Sequence, residues 1–160
     1  MRKTVPVYQP KIRETSYQSP FTKNEFLQQQ RVAQQQMAYR YLLADGWYAS
    51  AENMTLVRTL GHHFVFALES SRAMSLSAVA RSQGRLQSVQ SLVFPDTQPL
   101  RVYLRSVQEA VLFTNQVYTN QDGSQEVLYL VSSDTDLDQA QLTTVYQRRW
   151  KVEEYHKSLK

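Results

Sequence analysis

The sequence contains no cysteine, which excludes a disulfide framework, a Cys-ligated zinc site and a thiol nucleophile. It has only four glycines, and none belongs to a loop of the kind that cradles phosphates. No apolar run approaches the roughly 20 residues that a helix needs to cross a bilayer. The opening Met1-Arg2-Lys3-Thr4-Val5-Pro6 lacks the apolar stretch of a signal peptide. Serines are plentiful, yet none sits in a nucleophile elbow. These absences read as a soluble, cytoplasmic chain. Its 160 residues suffice to bury a core without staples.

Charge is distributed unevenly. Residues 1–40 carry seven Lys and Arg against two acids, residues 41–145 six against ten, and residues 146–160 five against two. The net charge of +4 therefore comes from two basic ends around an acidic middle. Basic patches favour phosphate-bearing partners, although solvated lysines and arginines produce the same excess.

Residues 4–14 partly alternate apolar and polar, with Pro6 and Pro10 suiting an edge or irregular strand. Thr22-Lys23-Asn24-Glu25 forms a capping box, and a helix over about Lys23 to Ala38 is expected after it. Tyr41–Ala44 is an apolar run that ends at Asp45-Gly46, a buried strand followed by a turn. Residues 50–60 show helical spacing at Met54, Leu56, Val57 and Leu60, and stop at Gly61. His63–Leu68 is a second buried strand, so this part reads as a βαβ unit with parallel strands. Beyond it, the segments 86–94, 100–107, 111–118 and 126–131 alternate like strands of an antiparallel region. Their turn signals are Phe94-Pro95-Asp96 and Asn120-Gln121-Asp122-Gly123, the second a hairpin signal. A last helix begins at Leu137 or Asp138 and runs to the end.

Some constellations fail on inspection. Asp134-Thr135-Asp136-Leu137-Asp138 imitates the start of a calcium loop, but Gln139 replaces the required Gly and Val145 the required Glu. A negatively charged helix start explains those acids better. His62 and His63 are adjacent at a strand entrance, where side chains diverge, so the pair does not chelate one ion easily.

Two features hold up better. Asp45 closes an apolar strand, where an open α/β sheet faces its ligand crevice, although a turn aspartate before glycine has the same appearance. On the last helix, Tyr146, Arg149, Glu153 and Lys160 fall within an arc of about 60° at 3.6 residues per turn. A solvated, salt-bridged helix would not require a phenol, a guanidinium, a carboxylate and an ammonium at these spacings.

Tyr146, Arg149, Glu153 and Lys160 match without a gap the Y-R-E-K signature of insertion-sequence transposases of the DDE class, of the insertion-sequence-four type. Asp45-Gly-Trp-Tyr-Ala-Ser, followed by Glu52-Asn53-Met54, resembles that family's second catalytic aspartate segment. Val127–Val131 and the stretch from Tyr146 onward are similar to one subgroup nearly residue for residue. Leu68-Glu69-Ser70-Ser71-Arg72 departs from the basic residue and Asn usual there.

The resemblance implies a partial ribonuclease H-like α/β fold with an antiparallel β insertion before the final catalytic helix. On that plan, residues 1–72 form the α/β part, 73–135 the insertion and 136–160 the catalytic helix. The implied chemistry is DNA strand cleavage and transfer by two Mg²⁺ ions held by three carboxylates. Asp45 and Glu153 correspond to the second and third. Arg149 and Lys160 would hold phosphates, and Tyr146 would bond the DNA backbone or support the glutamate. The implied partners are the transposon's DNA ends and a second copy in a homodimer. No aspartate precedes Asp45, and the earlier acids are Glu14 and Glu25. The chain therefore reads as a fragment that starts after the family's first two strands, lacks the first catalytic aspartate and is inactive alone.

Overall fold

The computed structural model describes residues 38–92 and 98–159. The expected strand over 4–14, the Thr22–Glu25 capping box and its helix, the Phe94-Pro95-Asp96 turn, Glu14 and Lys160 lie outside the described residues.

The βαβ unit forms as its pattern predicts. Strand β1, Tyr41–Ala44, is apolar and buried at every position, as a strand covered on both faces must be. A 3₁₀ turn over Gly46–Tyr48 follows, and Ser50 then caps helix α1, Ala51–Thr59, by accepting the Asn53 amide. Helix α1 ends at Leu60, and Gly61 takes a positive φ of 77° that suits glycine. Strand β2, His63–Leu68, returns parallel to β1, with Tyr41 opposite His63 and Ala44 opposite Phe66.

The antiparallel part consists of β3 (Ala73–Ser75), a short helix α2 (Ala78–Ser82), β4 (Gln87–Ser88), β5 (Leu100–Leu104), β6 (Val111–Thr119) and β7 (Gln125–Ser132). Helix α3, Gln139–Ser158, completes the chain. All seven described strands join one mixed sheet in the order β1-β2-β7-β6-β5-β3-β4. The hinge of that order is β7, which pairs antiparallel with β2 (Phe66 opposite Val131) and with β6 over eight positions. The antiparallel strands therefore extend the sheet of the βαβ unit. The Asn120–Gly123 hairpin turn is present, with Gly123 at φ 83° and the Asn120 amide bonded to the Ser124 carbonyl.

Two expectations change. Among the described residues of the segment 86–94, only Gln87 and Ser88 pair as a strand, and the chain then turns in 3₁₀ form to bury Val89. The segment 100–107 pairs only to Leu104, after which the Val107 amide turns back onto the Leu104 carbonyl.

Strand alternation sorts the core into two layers. Leu42, Ala44, Phe64 and Phe66 point to one face, where Met54 and Val57 of α1 and Phe113 and Val131 meet them. Tyr41, Leu43, Val65 and Ala67 point to the other, against Leu142 and Tyr146 of α3 and Leu112 and Leu130. Helices α1 and α3 thus cover opposite faces of the sheet. Asp45, next after Ala44, has the parity of Leu43 and so belongs to the α3 face.

Candidate active site

That parity brings the two sequence motifs together. Asp45 sits in extended conformation just past the carboxyl end of β1, where its Oδ1 accepts the Trp47 amide at 3.1 Å and caps the 3₁₀ turn. Its Oδ2 accepts a hydrogen bond from Arg149 Nη2 at 3.2 Å, across 104 residues of sequence. The same Nη2 lies 2.8 Å from Glu153 Oε1, one helical turn further along α3. One guanidinium nitrogen therefore bridges the carboxylates of both motifs. The Glu153 contact is an ion pair without hydrogen-bond geometry, so Oε1 is buried without a hydrogen-bond donor, and Arg149 Nε is buried without an acceptor.

Burial is graded through the cluster. The side-chain exposures of Arg149, Glu153 and Asp45 are 8%, 19% and 30%, so the cation lies deepest and the acids toward solvent. Tyr146 is buried beneath it, edge-on to Trp150, with the Arg149 guanidinium carbon 5.9 Å from its ring centre. Burial pushes the Tyr146 phenol up to about 12; the Arg149 charge opposes this, while Asp45 and Glu153 add to it. Tyr146 is thus a neutral phenol in contact with the field of all three charged groups.

The turn carrying Asp45 is held from two sides by residues whose roles the sequence pattern did not mark. Asn53 of α1, itself buried, donates its side-chain N–H to the Tyr48 carbonyl at 2.9 Å. Arg72 donates to the Ala49 carbonyl at 2.9 Å. Both bond to backbone carbonyls, which leave no trace in residue spacing. The buried Tyr48 phenol is raised first by burial and then by the Asp45 charge, with Arg149 opposing.

Other acids have structural roles. Of the three acids expected to make a negative helix start, only Asp138 caps α3, in a reciprocal box with Gln141. Asp134 lies at the opposite end of β1 from Asp45, where it accepts the Tyr41 hydroxyl at 2.5 Å and the Arg40 guanidinium at 3.1 Å. His62 stacks on Tyr39, whereas His63 approaches the Ser133 hydroxyl, so the adjacent rings do diverge. Glu69 follows β2 at the same sheet end as Asp45, and its Cγ would lie 3.6 Å from a Cβ built on Gly46.

Asp45 and Glu153 supply carboxylate oxygens, the donors a hard divalent cation requires, and they already converge on one positive group. No cluster of three or more His, Cys, Asp or Glu able to hold a metal occurs among the described residues.

A mixed α/β sheet followed by a helix that returns an acid to the strand end is compatible with a ribonuclease H-like nucleic-acid enzyme. Residues 24–160 match the family model described as "Transposase DDE domain", and the chain belongs to that family. No curated protein matches it. The family acts on DNA, cleaves its strands and generally uses divalent metal ions. No helix among the described residues is long and apolar enough to cross a membrane.

Proposed function

We propose that the chain is part of the catalytic domain of an insertion-sequence transposase of the Y-R-E-K, insertion-sequence-four type. In this reading Asp45 and Glu153 are the second and third catalytic carboxylates and the chain's ligands for Mg²⁺. Arg149 and Lys160 take phosphates of the transposon end. The convergence of Asp45 and Glu153 on one Arg149 nitrogen, from motifs 104 residues apart, carries this reading. Bound divalent ions would supply Lewis acidity at the scissile phosphate. Tyr146, buried under Arg149, supports the guanidinium and the glutamate. Residues 1–72, 73–135 and 136–160 correspond to the α/β part, the β insertion and the catalytic helix.

Two carboxylates do not make a complete site for two-metal strand transfer, which distributes its ions over three. Incubated alone with Mg²⁺ or Mn²⁺ and DNA bearing the element's ends, the chain should leave the DNA intact. Cleavage that disappears in Asp45→Ala and Glu153→Ala would show instead that the site is complete. The absence of a three-acid cluster among the described residues favours a second reading, a DNA-binding or dimerising remnant that interferes with an intact transposase. In a mixed reaction with the intact enzyme, this reading requires the chain to lower transposition.

A further inference from the structure

Arg149 occupies a place for which it is poorly fitted as a permanent tenant. Its side chain is more than nine-tenths buried, yet Nε finds no acceptor. A guanidinium matched to carboxylates uses its planar fork to make paired, parallel hydrogen bonds. Here Nη2 alone serves both acids, and its approach to Glu153 neutralises charge without making a hydrogen bond. The buried Glu153 Oε1 is consequently short of a donor while lying 2.8 Å from a cation. Two acids thus lean on a shared positive charge, and both the acid and the base retain unused bonding capacity. That pattern fits a group which stands in for another cation.

We infer that Arg149 is a removable counter-ion. It holds Asp45 and Glu153 together while no divalent ion is bound, and yields its position when one arrives. Leaving the acids frees a fork whose Nε is already without an acceptor, and a phosphate oxygen is the acceptor that a guanidinium matches best. Arg149 would therefore set a threshold on metal binding and couple that binding to capture of the DNA backbone. This inference rests on Asp45 and Glu153 being metal ligands. It concerns the regulation of that site and not its existence.

The test is Mn²⁺ binding to the purified full chain, followed by electron paramagnetic resonance of the free ion. Arg149→Gln should bind Mn²⁺ at least about tenfold more tightly than wild type, because a unit charge a few ångströms away strongly opposes a second cation. Arg149→Lys keeps the charge and should remain close to wild type. Arg148→Gln, which removes an exposed charge from the other side of the helix, should also change little. Equal or weaker binding by Arg149→Gln overturns the inference, as does an Arg149→Lys protein that binds as tightly as Arg149→Gln. Glu153→Gln separates the two claims. If it weakens binding while Arg149→Gln does not strengthen it, the metal site stands and the counter-ion role falls. If neither Glu153→Gln nor Arg149→Gln differs from wild type, the metal reading itself falls. Should Arg149→Gln fail to fold, the wild-type chain still decides the matter. The arginine Nε–H resonance of Arg149 should shift saturably as Mg²⁺ is added, and an unmoved resonance overturns the inference.

Discussion

At the scale of single residues, acids of similar local sequence are separated by what surrounds them. Asp134 is buried at the amino end of β1 and has its oxygens engaged by the Tyr41 hydroxyl, the Arg40 guanidinium and the Asp136 amide. Burial pushes its carboxyl up most strongly. The Tyr41 hydroxyl, the Asp136 amide and the charges of His63 and Arg40 outweigh it, and the carboxyl ends below the usual range. A depressed carboxylate contributes stability above its unfolded value of about 3.9 and loses that contribution as pH falls through the folded value. Tyr41→Phe should cost about 1.5–3 kcal/mol at pH 7, the usual worth of a hydrogen bond to a charged group. It should also flatten the fall of stability below about pH 5, since less of the depression remains to be lost. Urea unfolding of both proteins at pH 7 and at successively lower pH measures the two effects. An unchanged acid sensitivity would remove Tyr41 from the account.

At the scale of elements, legibility followed how local each cause is. Strands β1 and β2 are apolar runs between turn residues, so four to six consecutive side chains reveal them. Helix α3, expected from Leu137 or Asp138, starts where Asp138 and Gln141 bond each other's backbone amides at 2.7 and 2.9 Å. The strand β3 and the short extent of β4 have no such signal, and although Ser77 caps α2 by accepting the Ala80 amide, distant groups hold all three in place. Arg81 of α2 donates to the carbonyls of Leu104, Val107 and Gln108, and Met74 of β3 pairs with both Gln87 and Leu104. The candidate site divides in the same way. Glu153 lies one turn from Arg149 and is legible from spacing. The Arg149–Asp45 contact requires the knowledge that α3 packs on the face of the sheet shared by Leu43. Asp138→Ala should destabilise the chain by about 0.5–2 kcal/mol through loss of the helix cap. Because α3 carries Arg149 and Glu153, thermal unfolding and helical circular dichroism should fall together. A loss of ellipticity without a lower midpoint would mean that only the helix end frays.

At the scale of the whole molecule, the fold assigns different tasks to the basic residues of the last helix. Arg149 is turned inward onto two acids. Arg148 and Lys151, three residues apart on the opposite side of α3, are exposed. Of the basic residues of this helix, Arg148 and Lys151 therefore reach solvent on the side away from Tyr146. If that side meets DNA, each cation that neutralises a phosphate releases condensed counterions. The logarithm of the affinity then falls with the logarithm of salt by about 0.9 per contact on duplex DNA. Binding of the wild-type chain to duplex DNA should weaken steeply with added salt. Arg148→Gln and Lys151→Gln should each make that slope shallower by about one, with little dependence on DNA sequence. Fluorescence anisotropy over a salt series measures the slopes. A wild-type slope near zero would exclude phosphate contacts as the basis of binding, and unchanged slopes in both variants would place those contacts on another surface.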